Sequence, residues 1–176
     1  MRDALVAAIN LNLFNKHCDR VKMANIAQLV NVLQSVILTE GERMVKTPTY
    51  HVFNMYKFHQ DGELLESSID TTSIGVEDEF KVPNLTESVS VDAAGRIHVT
   101  LGNLSATESY DIEGIFAETP VKSVKADILT EKMQAHNTFD APDTVKSVSF
   151  DGVKVNGNKI SLSMPACSVM HIEVTV

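Results

Sequence analysis

The stretch V-K-M-A-N-I-A-Q, residues 21–28, decides how the chain is read. It is nearly continuous in apolar and small residues, and two amides, Asn25 and Gln28, stand toward its end. A short run of this kind predicts a strand buried on both faces, as in a parallel sheet. A strand that ends on an amide predicts a site at its tip. Such a strand needs neighbours on both sides, and the surrounding sequence supplies few of them.

Upstream, residues 3–17 read as a helix. Leu5, Ile9 and Leu13 fall on one stripe with Val6 beside it, and Leu11 and Phe14 widen the apolar surface. Asp3 is placed as its N-cap. Downstream, residues 29–34 are ambiguous; Asn31, Gln34 and Ser35 could form the polar face of a helix. V-I-L-T-E-G-E-R-M-V-K, residues 36–46, reads as two short strands around Gly41. Thr47 and Pro48 then open a second helix as N-cap and first helical residue, and Gly62 stops it.

From about residue 63 helical spacing gives way to alternation. Strands are predicted over 87–92, 96–101, 108–115, 121–129, 145–150, 159–164 and 169–174. The turns between them are explicit, above all Asn156-Gly157-Asn158. The pattern predicts an antiparallel sandwich. Two parts are expected: residues 1–62 with α/β texture and residues 63–176 all-β, an α+β chain.

The totals bound the function. A chain of 176 residues can bury a real core. A net charge of -8 with no basic block argues against nucleic acid and anionic membrane as partners. No apolar run is long enough for a membrane span. Two distant cysteines, Cys18 and Cys167, are expected to be reduced and structural. With no cleavage site after the apolar N-terminal stretch, a cytoplasmic setting is expected over a secreted one.

Catalytic constellations are thin. Glycoside hydrolysis needs two carboxylates at a defined separation, one with a raised pKa. Glu40 and Glu42 flank a turn, and Glu77, Asp78 and Glu79 form a short acidic run; both read as solvated charge. His51 and His59 stand eight apart, away from the three- or four-residue spacing of helical zinc ligands. Ser168 with His171 lacks an orienting acid and an oxyanion hole. No phosphate-cradling loop occurs, so neither cofactor nor metal is expected. Gln28 is the best single candidate, because an amide both donates to and accepts from sugar hydroxyls. The plain alternative is an amide that caps the following loop.

The order of sequence blocks resembles the C-terminal part of the family-51 glycoside hydrolases, the α-L-arabinofuranosidases. The blocks are D-A-L-V-A-A (3–8), N-K-H-C-D-R-V-K-M-A-N-I-A-Q-L-V-N-V-L-Q (15–34), I-L-T-E-G-E-R-M-V-K-T-P-T-Y-H-V-F-N-M-Y-K-F-H-Q (37–60) and A-H-N-T-F-D-A-P-D-T-V (135–145). The resemblance implies the end of a (β/α)8 barrel, helices plus last strand, followed by a jelly-roll-like sandwich. The hairpin around Gly41 would belong to the loop after that strand, and the sandwich would borrow a strand from the N-terminus of the complete enzyme. Both glutamates of the retaining mechanism would lie before this sequence, so no catalytic residue is carried over. Gln28 matches a residue lining the arabinose pocket. The expected partners are an arabinose-containing saccharide in the complete enzyme and, through residues 1–62, the rest of the barrel or a second copy. The alternative is a non-catalytic sandwich acting in assembly or weak carbohydrate contact; the absence of Trp argues against a dedicated sugar-binding module.

Overall fold

The computed structural model describes residues 1–76, 80–117 and 119–176. Helix α1 (Arg2–Lys16) is followed by an irregular strap, residues 17–36. The hairpin β1 (Ile37–Glu40) and β2 (Arg43–Lys46) follows, turning at Gly41, whose φ of 59° suits glycine. Helix α2 (Pro48–Tyr56) runs into a 3-10 turn, Lys57–His59. The strands β3 (Glu63–Leu64), β4 (Ser73–Ile74), β5 (Val82–Pro83), β6 (Leu85–Val91), β7 (Ile97–Asn103) and β8 (Tyr110–Ile115) come next. They are followed by β9 (Ser123–Thr130), β10 (Val148–Ser149), β11 (Lys154–Asn156), β12 (Lys159–Met164) and β13 (Ser168–Thr175).

Two antiparallel sheets form the sandwich. The larger has the order β10-β9-β13-β7-β6-β3, the smaller β11-β12-β8. The alternation predicted from sequence is realised. Met170, Ile172 and Val174 of β13 and Ile97, Val99 and Leu101 of β7 face Ile160, Leu162 and Met164 of β12 across the core. The Asn-Gly signal builds the β11–β12 hairpin, where Asn156 pairs with Lys159 across a two-residue loop. The strand predicted over 145–150 shrinks to Val148–Ser149, because Asn137 captures both backbone groups of the buried Val145.

The other face of the large sheet is covered by α1 and α2. Ala4, Leu5 and Ala8 pack with Val52, Met55 and Tyr56 onto Leu129 and Val169. The stripe that α1 buries is Ala4, Leu5, Ala8 and Asn12; Leu13 and Val6, assigned to the buried side from spacing, are exposed. Small residues win because the helix lies close to the sheet. At Gly102, beneath Ala8, an added Cβ would come within 2.8 Å of Thr86 Cγ2 and 3.8 Å of Ala8 Cβ. Asp3 lies in the first turn beside Arg2 and is not the N-cap, which is Met1. Thr47 and Pro48 do occupy the N-cap and first positions of α2. The Thr47 hydroxyl, however, donates backward to the carbonyls of Ser35 and Val36.

Residues 21–28 form no strand. They run as irregular, largely exposed chain. The physical reason is the one their sequence raised: a doubly buried strand must hydrogen-bond to neighbours on both edges, and among the described residues no strand lies beside it. Residues 29–34 are a loop, with Asn31 and Gln34 at positive φ and a single parallel bridge from Val30 to Ile37.

Candidate functional site

Gln28 stands at the junction of two unlike segments. Before it, residues 21–28 are tied near their start, where the Val21 N–H donates to His17 O at 2.8 Å and Lys22 Nζ to Cys18 O. After it, the chain is knit tightly. Leu29 O accepts the N–H groups of Val36 and Ile37 at 3.0 and 3.1 Å. Asn31, at φ 56°, takes a left-handed conformation that asparagine tolerates. Its side chain accepts the Thr39 N–H at 2.7 Å and donates to Thr39 Oγ1 at 2.9 Å and Thr39 O at 3.1 Å. Gln28 itself is exposed.

Beside the strap lies a groove of about 250 Å³, walled by Leu11 and Phe14 of α1, Phe53 of α2, and Asn25 and Ile26 of the strap. Gln28 does not line it. Among the described residues the groove holds one carboxylate, Asp3, at its margin. One carboxylate cannot supply both an acid and a nucleophile to a glycosidic bond, and the rest of the lining mixes apolar side chains with Asn10, Asn25, Gln34 and Thr49.

The weaker candidates resolve plainly. Glu40 and Glu42 are exposed at the hairpin turn, and Glu40 pairs with Arg43. Glu77, Asp78 and Glu79 lie outside the described residues. His51, in α2, accepts the Ser147 N–H through Nδ1 at 3.4 Å and is separate from His59. The Ser168 hydroxyl donates to Pro165 O at 2.6 Å, and His171 points to another histidine, so these two form no nucleophile–base pair. Both cysteines are free thiols, Cys18 exposed and Cys167 buried.

One cluster was not foreseen. On the helix-covered face of the large sheet, His98 Nδ1 lies 3.1 Å from His171 Nε2, and the Phe58 ring stacks on both imidazoles at 5.3 and 4.5 Å. His59 bridges Ser90 Oγ at 2.7 Å and Thr100 Oγ1 at 3.0 Å. Asn12 of α1 accepts from Ser88 and Thr100 in the same layer. Burial, then the neighbouring His98, pushes His59 down to about 4, and burial with His98, His59 and Lys57 pushes His171 down to about 3. Asp92, receiving the Arg96 N–H and guanidinium and facing His98 Nε2 at 3.2 Å, is held well below the usual carboxylate range. These groups clasp the 3-10 turn to the sheet. The signal available in sequence was the alternation that puts His98 and Thr100 on one face of β7; the β13 register that sets His171 opposite Thr100 was not. Among the described residues no group of three His, Cys, Asp or Glu side chains is placed to hold a metal ion.

Comparison with known proteins completes the description. The family described as the α-L-arabinofuranosidase C-terminal domain matches residues 1–168. An intracellular exo-α-L-arabinofuranosidase of Bacteroides ovatus is 42% identical over 175 residues, which cover 99% of this chain and 34% of that protein. The crystal structure of the GH51 arabinofuranosidase from Xanthomonas axonopodis pv. citri superposes with a TM-score of 0.92 at 38% identity, over 98% of this chain and 35% of the other. A family 51 α-L-arabinofuranosidase from Bifidobacterium longum gives a TM-score of 0.87 at 27% identity, over 98% and 34%. The chain spans about a third of the length of the relatives it matches.

Proposed function

The chain belongs to the α-L-arabinofuranosidase C-terminal domain family of the family-51 enzymes, and from that premise we propose that it is the non-catalytic third of a retaining α-L-arabinofuranosidase. In this reading residues 1–62 are the closing helix–strand–helix portion of a (β/α)8 barrel, and residues 63–176 are the sandwich that braces it. Residues 21–28 become the last barrel strand once neighbours flank them. Gln28 then stands at the strand's C-terminal end, where barrel enzymes bind their ligands. Its amide hydrogen-bonds the hydroxyls of a terminal arabinofuranosyl unit, and both catalytic glutamates come from earlier strands.

The observation that carries this reading is the strap. Met23 is 75% exposed, Leu29 56% and Leu33 91%. A segment that holds such large apolar side chains in water is half of an interface. The partner it fits is the remainder of the barrel, with a second copy of the chain as the substitute when that remainder is absent. The chain should therefore be inactive alone on an aryl α-L-arabinofuranoside and associate in light scattering. Joined to the remainder of the barrel it should turn the substrate over, and Gln28→Ala should raise KM. Turnover by the isolated chain, indifferent to Gln28→Ala, would refute the assignment.

A further inference from the structure

We propose that the sandwich loop over residues 134–145 is a positioning element of the sugar pocket, acting on Gln28 through Arg43 and the β1–β2 hairpin. The inference rests on the reading of Gln28 as a pocket residue and adds a role for the sandwich that bracing alone does not require.

Gln28 is held from its C-terminal side, through Leu29 and Asn31, by β1. That hairpin has two strands and four residue pairs, too little to hold a geometry by itself in water. Thr47, at the start of α2, ties its open end to the Ser35 and Val36 carbonyls, and the sandwich holds the rest. Asn137, buried in the loop, donates from Nδ2 to Lys46 O at the end of β2 and to Val145 O, both at 2.8 Å. Its Oδ1 accepts the Val145 N–H at 2.7 Å. One side chain thus sets hairpin and loop in a single frame. At the far end the Arg43 guanidinium pairs with Glu40 across the turn, lies 3.4 Å from Asp140, and sits 5.0 Å over the Phe139 ring.

These contacts differ in weight. Asp140 is 96% exposed, so its ion pair with Arg43 is screened and adds little. The face of Phe139 is the firmer seat, because a planar guanidinium stacks on a ring in a way an ammonium cannot. A shift of the loop passes through Phe139 and Arg43 to the hairpin, and from Ile37 and Thr39 of β1 to Leu29 and Asn31, which follow Gln28. A pocket residue held through such a relay is sensitive to substitutions that touch no substrate.

Steady-state kinetics of the complete enzyme on an aryl α-L-arabinofuranoside test this. Phe139→Ala and Arg43→Ala should each raise KM by up to about ten-fold, with kcat changed by less than about two-fold. Arg43→Lys should recover little, since it keeps the charge and loses the stacking plane. Phe139→Ala added to Gln28→Ala should cost nothing more, because the loop acts through that amide. A melting curve for each variant separates positioning from loss of fold. A lowered Tm with KM unchanged overturns the proposal, and so do additive effects of Phe139→Ala and Gln28→Ala. If Gln28→Ala raises KM while Phe139→Ala and Arg43→Ala do not, positioning is refuted and the pocket reading stands. If Gln28→Ala has no effect on KM, both fall.

Discussion

The helix-covered face of the large sheet and the strap over residues 17–36 are built from similar residues and end in opposite states. On the sheet face, α1 and α2 bury Ala8, Val52 and Leu129 completely, and polar groups such as Asn12, Ser88, Thr100 and His59 find partners within the layer. The strap presents Met23, Leu29 and Leu33 to solvent, although its two ends are hydrogen-bonded to α1 and β1. Hydropathy does not separate the two. The difference is whether the chain itself supplies the facing surface. One region is covered by the chain's own helices, and the other is left in solvent, which the proposed function reads as a surface for the remainder of the barrel.

The sharpest way to break this contrast is to truncate the complete side. Leu129→Ala, at a fully buried position, should cost about 2–5 kcal/mol, read as a shift of the urea midpoint. A loss below about 1 kcal/mol would mean that the helix-covered face is as loosely held as the strap.

Acid probes the same face next. Free histidine sits at 6.5, while His59 is pushed down to about 4 and His171 to about 3. Between those values the unfolded chain binds protons that the folded chain refuses. Stability is therefore complete above about pH 6.5 and falls as pH drops toward 4 and 3, by a few kcal/mol in total. His171→Asn should flatten this slope in Tm measured from pH 7 to pH 4. His59 faces Ser90, Thr100 and His98, and His171 faces Phe58, His98 and Lys57. Asp92 beyond them stays ionised throughout the window.

A smaller effect follows from Asn12→Ala, which strips the buried acceptor from Ser88 and Thr100 and should cost about 1–3 kcal/mol by denaturant titration. Smallest of all, Leu33→Ser should change the stability of the isolated chain by less than about 0.5 kcal/mol. It should nevertheless reduce self-association in light scattering and weaken assembly with the remainder of the barrel. A marked loss of stability from Leu33→Ser would show the strap to be part of the core.

How much of this was readable beforehand follows from the range of the forces involved. Local signals read true. The alternation of β7, β12 and β13, the Asn156-Gly157 turn, the hairpin around Gly41 and the Thr47-Pro48 helix start each depend on a few adjacent residues. The misreadings depend on distant ones. Residues 21–28 carry the pattern of a buried strand, yet a pattern cannot report that its neighbours are absent. The buried side of α1 was misjudged because contact at Ala8 is decided by the closeness of a glycine nearly a hundred residues away. The histidine cluster needed the β13 register. Gln28 drew notice from its place at the end of an apolar run and from the fit of an amide to sugar hydroxyls, and the resemblance of the surrounding blocks implied the arabinose pocket now proposed for it.

The place of β13 in the large sheet has a consequence for how the molecule comes into being. It lies between β7 and β9 and is made after both. Until it emerges from the ribosome, β6 with β7 and β9 with β10 are two separate ribbons with exposed edges, open to pairing with other nascent chains. Closure of the sheet is then a single late insertion, joining residues some seventy positions apart in sequence. Loss of this strand would leave β7 and β9 without the partner that joins them and the sheet without its centre.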